Sequence, residues 1–136
     1  MATAFETEVL IDRPLPEVWR ELSDWERGDR WLPGVESIRC EGTILTFRTR
    51  GRERHSTITD VVPGTAVTLE SEQGGVRARY AYRLEPADRG TRAHLRADVA
   101  TRGMTTLLAP VIRAAVRRID GVQLERLREV VEGTRP

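Results

Sequence analysis

Between residues 76 and 102 the chain alternates with a period of two. Val76, Ala78, Tyr80, Tyr82 and Leu84 occupy one set of positions, and Arg77, Arg79, Arg83 and Glu85 the other. After Asp88-Arg89-Gly90 the alternation resumes, with Ala93, Leu95, Ala97 and Val99 set against Arg92, His94, Arg96, Asp98 and Arg102. This pattern predicts two strands joined by a tight turn, with one face apolar and covered, the other charged and wet. It points Tyr80, Tyr82 and Val99 inward and His94 to solvent. Further strand-like runs lie at 5–11, 35–41, 43–49, 53–62 and 65–71. Glu41-Gly42, Pro63-Gly64 and Gly74-Gly75 punctuate them. Connections this short favour antiparallel neighbours, hence a meander. In the run 55–62 the pattern does not decide which face turns inward.

Elsewhere the period is helical. Leu15, Val18, Trp19 and Leu22 follow the i, i+3, i+4, i+7 spacing of one apolar face, with Pro16 suited to the first turn. Ser23-Asp24-Trp25-Glu26 has the form of a capping box and predicts a second short helix, closed by Trp31-Leu32-Pro33-Gly34. From Gly103 to Val131 the spacing predicts one long helix. At about 100° per residue, Leu108, Ile112, Ala115, Val116, Ile119 and Val122 make one stripe. Beyond Gly121 the stripe rotates toward Leu124, Leu127 and Val131, which predicts a bend or a change of packing partner. Burial is expected for Leu108, Ile112, Ala115 and Ile119, and exposure for Arg113, Arg117 and Arg128. Gln123 and Arg126 fall within the extrapolated stripe. Either the helix bends there and both reach solvent, or Arg126 is a charged anchor near the closed end of a cavity.

Length and composition narrow the class. A chain of 136 residues reads as one domain, here 1–132 with a disordered tail at 133–136, and it buries roughly 70% of its unfolded surface without a staple. Cys40 is the single cysteine, so no internal disulfide is available, and with two histidines there is no metal-site spacing. No apolar run of about 20 residues exists to span a membrane. The amino terminus lacks a basic start followed by an apolar stretch, so the expected location is the cytoplasm. The 22 basic residues, all arginine, balance 21 acidic ones at a net charge of +1. That balance argues against a nucleic-acid partner, which needs clustered unopposed positive charge. The absence of lysine excludes Schiff-base chemistry and the lysine of a phosphate-binding loop.

The order of elements (strand, two short helices, six strands, long helix) is that of an α+β helix-grip fold of the START/Bet v 1-like type. Several motifs carry a closer resemblance. Ile11-Asp12-Arg13-Pro14-Leu15-Pro16-Glu17-Val18-Trp19 resembles the opening of the polyketide cyclase/dehydrase branch of the START-like (SRPBCC) superfamily. Trp31-Leu32-Pro33-Gly34-Val35 is similar to its second-helix exit, and Gly51-Arg52 with Val62-Pro63-Gly64 to its mid-sheet turns. Tyr82-Arg83-Leu84-Glu85-Pro86 through Gly90-Thr91 resembles its last hairpin, and Leu124-Glu125-Arg126-Leu127-Arg128 its helix end. The resemblance spans residues 5 to 132. It implies a curved antiparallel seven-stranded sheet, a long C-terminal helix across the concave face, and a cavity between them that admits a small hydrophobic molecule. No cofactor and no metal are implied.

On this reading the ligand-binding candidates are Trp31, Phe47, Tyr80, Tyr82, Val99, Met104, Leu108 and Ile112. A buried tyrosine hydroxyl needs a partner, because leaving it unpaired costs about 1–3 kcal/mol. His55 is the candidate for acid–base work, since an imidazole titrates near pH 6.5 and can help enolise or dehydrate a carbonyl compound. The alternative for it is a surface position among Arg52, Glu53 and Arg54. Ser56 follows His55 directly and so points to the opposite face, which prevents a nucleophile–base pair. Two functions stay open. One is binding of a lipid-, polyketide- or aromatic-like molecule, with or without cyclase/dehydratase activity by positioning and acid–base help. The other is a non-enzymatic protein-interaction module of the ribosome-associated START-like type. An apolar cavity of roughly 300 Å³ or more favours the first, and an exposed apolar patch favours the second. A homodimer is open under either.

Overall fold

The computed structural model describes residues 1–133. Its sheet comprises β1 (Ala2–Ile11), β2 (Ser37–Glu41), β3 (Ile44–Thr49), β4 (Arg52–Val62), β5 (Ala66–Gln73), β6 (Val76–Ala87) and β7 (Gly90–Thr101). All pairs are antiparallel, in the order β1-β7-β6-β5-β4-β3-β2. Strands β2 to β7 are thus a meander, and β1 crosses over to pair with the last strand. That crossing is occupied by α1 (Leu15–Ser23) and a 3-10 helix (Trp25–Arg30). The C-terminal helix follows as a 3-10 turn (Gly103–Leu108), α2 (Ala109–Asp120) and α3 (Gln123–Glu132). This is the expected helix-grip arrangement. Of the tail expected at 133–136, residues 134–136 lie outside the described residues. Gly133 caps α3 in the left-handed conformation, at φ 78°.

Two connections are fixed by close approach. A Cβ on Gly90 would sit 2.1 Å from the Ile11 carbonyl oxygen, so only glycine lets the start of β7 pass beneath the end of β1. Next to it, buried Thr91 donates its hydroxyl to the Arg13 carbonyl at 2.9 Å, tying β7 to the entry of α1. The expected capping box does not form. Ser23 Oγ donates back to the Trp19 carbonyl at 2.7 Å, the i−4 bond that competes with capping. Glu26 instead accepts from the Cys40 N–H at 3.4 Å on edge strand β2. The second short helix is accordingly a 3-10 segment without a side-chain cap.

The C-terminal helix departs from one continuous rod. It becomes α-helical only at Ala109, with Pro110 in its first turn. It breaks at Gly121, where a Cβ would lie 2.4 Å from the Arg117 carbonyl oxygen. The two halves are buried very differently. α3 buries Gln123, Leu124, Leu127 and Val130, whereas α2 buries no residue fully. Expected core residues Leu108 and Ile119 are 56% and 43% exposed, and Ile112 and Ala115 are half-buried. Arg117 is exposed as expected, while Arg113 and Arg128 are half-buried. Val130 rather than Val131 turns fully into the core, seven residues after buried Gln123 and three after Leu127 on the same face of α3. The α3 end is closed by an aromatic cluster. Trp31 stacks edge-on against Tyr82 at 5.9 Å, and Trp25 lies 6.2 Å and 6.3 Å from the two rings. Among the described residues, no helix is long and apolar enough to cross a membrane.

Candidate functional site

Residues directly opposed across a strand pair share one face, so the register maps the concave surface row by row. Beneath the start of α3 lies a row containing Val67, Tyr82 and Leu95. The next holds Leu69, Tyr80 and Ala97, with Phe5 beyond. A third is built from small side chains, Ser71 and Ala78 beside Val99. The last carries Phe47 opposite Arg54 on one side, and Gln73, Val76 and Thr101 on the other. α2 runs over β1 and β7. Beside it, Ser71 and Ala78 of the third row stay half-buried next to buried Val99, a shallow apolar trough on the sheet that runs toward the β5–β6 hairpin.

A polar cluster closes the inner end of this trough at the helix break. Tyr80 donates its hydroxyl to Asp120 Oδ2. Gln123 Nε2 donates to Asp120 Oδ1 at 3.2 Å, and Tyr82 donates to Gln123 Oε1 at 2.5 Å. All three donations run toward one carboxylate. Burial pushes the Asp120 carboxyl above its ordinary pKa, opposed by the hydrogen bonds from Tyr80 and Gln123. Burial, reinforced by the Asp120 charge, pushes both tyrosine hydroxyls up as well, so they remain donors. Trp31, fully buried against Tyr82, finds no partner for its indole N–H among the described residues.

The sequence candidates separate on this map. Tyr80, Tyr82, Val99 and Phe47 share the concave face, with Tyr82 and Val99 fully buried and Tyr80 and Phe47 half-buried. Ile112 packs against the core from α2. Trp31, offered as a ligand-binding candidate, is fully buried at the α3 end against Tyr82. Met104 and Leu108 stand at the rim, 82% and 56% exposed. His55 is not brought to this site. It pairs with Thr46 on the convex face, where its Nδ1 lies 3.2 Å from the Thr46 hydroxyl and its Nε2 3.9 Å from Glu53. His94 is convex as well, between Glu8 and Glu85, and its hydrogen bond to Glu85 holds that carboxyl below the usual range. Cys40 is half-buried, and burial followed by the Glu26 charge raises its thiol pKa. Among the described residues no three His, Cys, Asp or Glu side chains converge on a metal position.

Asp120 and Arg54 are the charged residues of this surface that the sequence pattern did not single out. Asp120 had a signal: Val116, Asp120, Gln123 and Leu127 follow the i, i+4, i+7, i+11 spacing of a helix face, so an acid sat within the apolar stripe. Gln123 was singled out, yet the bend does not carry it to solvent. It is 3% exposed, because Tyr82 and Asp120 satisfy its amide. Two surface concavities, both smaller than the roughly 300 Å³ expected of a ligand cavity, lie outside the space beneath α2, the first with Phe47 among its lining residues. One, of about 220 Å³, lies over β2–β4, and the other, of about 260 Å³, lies among charged residues of α1 and the 3-10 helix beside Val130 and Val131.

Solved structures share this architecture. BexL, a di-domain ARO/CYC protein, superimposes with a TM-score of 0.82 at 21% identity over 100% of this chain, which spans 48% of that protein. A conserved protein from Geobacillus kaustophilus gives 0.74 at 15% identity, covering 96% and 95% of the two chains. A protein from Thermus thermophilus gives 0.68 at 20% identity, covering 95% and 97%. At these identities the likeness is one of fold. Curated protein sequences gave no match. Residues 2–132 match the family described as polyketide cyclase/dehydrase and lipid transport. A sheet closed at one end by aromatic packing and open at the other beneath a broken helix is thus the form taken here by a member of that START-like family, to which this chain belongs.

Proposed function

We propose that this protein binds one small, mainly apolar molecule in the trough between the concave sheet and α2. The observation that carries this reading is the polar cluster of Tyr80, Asp120, Gln123 and Tyr82, set at the inner end of an otherwise apolar surface. Ligand sites combine an apolar lining with a few convergent polar groups in this way. The family's description, and the ARO/CYC designation of BexL, support a lipid- or polyketide-like ligand. Any cyclisation or dehydration would draw its acid–base group from Tyr80 and Asp120, with positioning supplying the larger share of rate. Native mass spectrometry of protein purified from its own host tests the binding reading. A single adduct at one-to-one stoichiometry, displaced by the neutral apolar dye N-phenylnaphthylamine, is the expected result. A bare protein mass together with no saturable uptake of the dye overturns it.

A second reading has its own observation. Met104, Leu107 and Val111 are 82%, 79% and 66% exposed and form an apolar rim, which suits a protein-interaction module of the ribosome-associated type. It requires co-sedimentation with ribosomes that Leu107→Glu abolishes while dye uptake persists.

A further inference from the structure

If the trough is a binding site, its fixed charges select the kind of molecule it takes; this inference rests on the binding reading above. Arg54 stands on the concave face opposite Phe47. Its guanidinium donates to the neutral amide oxygen of Gln73. Among the described residues no carboxylate lies within ion-pair distance of it. The inward positions of β3 to β7 hold no Asp or Glu. Arg54 therefore gives this end of the trough an uncompensated positive charge beside an apolar surface. Thr105 holds the rim together there, its Oγ1 donating to the Arg102 carbonyl at 2.6 Å and lying 3.2 Å from the Gly75 carbonyl of the β5–β6 hairpin.

The opposite end carries the opposite sign. Asp120 is the last residue of α2, where the helix dipole is itself negative. Gln73, beside Arg54, and Tyr80, beside Asp120, are linked through the register. Gln73 opposes Val76, four residues before Tyr80, which separates the two ends by about 13 Å along the strands at 3.3 Å per residue. An anionic group is repelled from the inner end and attracted to the mouth.

We propose that the trough selects amphiphilic carboxylates, with the carboxylate at Arg54, the apolar body along Ala78 and Val99, and the uncharged end toward Tyr80. A guanidinium fork suits a carboxylate because it can donate two parallel hydrogen bonds. Titration calorimetry with decanoate, decanol and decyltrimethylammonium tests this, on the wild type and on Arg54→Gln and Arg54→Lys. Arg54 is half-buried, and among the described residues its side chain hydrogen-bonds only to Gln73, so both variants are expected to fold. Decanoate is expected to bind at least about tenfold tighter than decanol, and decyltrimethylammonium weakest of the three. The preference for decanoate should vanish in Arg54→Gln, persist in part in Arg54→Lys, and shrink with added salt. Decanol or the ammonium binding as tightly as decanoate, or a preference that survives Arg54→Gln, overturns the inference and leaves apolar binding standing. No saturable binding of any of the three overturns both.

Discussion

α2 and α3 are two lengths of one apolar stripe, and they end in different environments. α3 buries Leu124, Leu127 and Val130 completely or nearly so, while Ile119 of α2 and Leu108 of the 3-10 turn before it are exposed. The helices themselves differ little in pattern; what differs is the surface beneath. At the α3 end the sheet presents Tyr82, Leu84 and Leu95, backed by Trp25 and Trp31. Toward the other end, beyond buried Ala97 and Val99, it presents half-buried Ser71 and Ala78. Close packing needs side chains that reach each other, and small residues under a helix leave a gap. A periodic stripe states which face of a helix turns toward the sheet, and the partner's volume decides whether that face becomes core or the wall of a site.

The sharpest way to break this comparison is to cut one large side chain from each half. Leu127→Ala removes a fully buried residue of α3 and is expected to cost about 2–5 kcal/mol. Urea denaturation measures it, and a loss below about 1 kcal/mol would mean that the α3 end is not the structural half.

The polar cluster at the junction comes next. Gln123→Leu leaves the Tyr82 hydroxyl without its acceptor and Asp120 Oδ1 without its donor, at an expected cost of about 1–3 kcal/mol. Adding Tyr82→Phe to that variant should recover most of the loss, because removing both partners of a buried bond can be nearly neutral. A double variant no better than the single would show that the cluster does not hold the two halves together.

How far these halves were legible beforehand follows from their physics. The β6–β7 hairpin was readable because strict alternation survives along both strands, and Tyr80, Tyr82, Val99 and His94 take the faces the pattern assigned. Strand β4 was not, because a bulge between Ile58 and Asp60 breaks the period of two. Ile58 and Val61 both turn inward, three residues apart, so no alternation assigns His55 or Arg54 to a face. That is why the convex His55 drew attention and the concave Arg54 did not. The bend at Gly121 was legible as a rotation of the stripe. The fate of Gln123 was not, since it depends on a tyrosine 41 positions away in sequence.

A gentler probe of the open half is Ile112→Ala. Ile112 packs only partly against the core, so about 1 kcal/mol or less is expected, in proportion to the apolar area it removes from water. A loss matching that of Leu127→Ala would erase the distinction between the helices. A small stability loss accompanied by weaker N-phenylnaphthylamine uptake would sharpen it, placing Ile112 on the wall of the trough.

The smallest expected effect is on the pH dependence of stability, and it isolates Asp120. Its carboxyl is raised above the ordinary aspartate value because burial disfavours the charged form more than Tyr80 and Gln123 stabilise it. The folded state therefore binds the proton more tightly than the unfolded chain. Stability from this group is greatest below the unfolded pKa of about 3.9 and falls as pH rises through the folded value, since the folded state then holds more protons than the unfolded one. Asp120→Asn keeps the side chain's size and an acceptor for Tyr80 but has no proton to lose. The difference in urea midpoint between wild type and Asp120→Asn should shift in favour of the variant from pH 4 upward and level off once the wild-type carboxyl is ionised. A shift in favour of the wild type over that range would mean that the cluster's hydrogen bonds outweigh its burial. The junction between the helices would then be a net stabiliser of charge rather than a site where charge is held against cost.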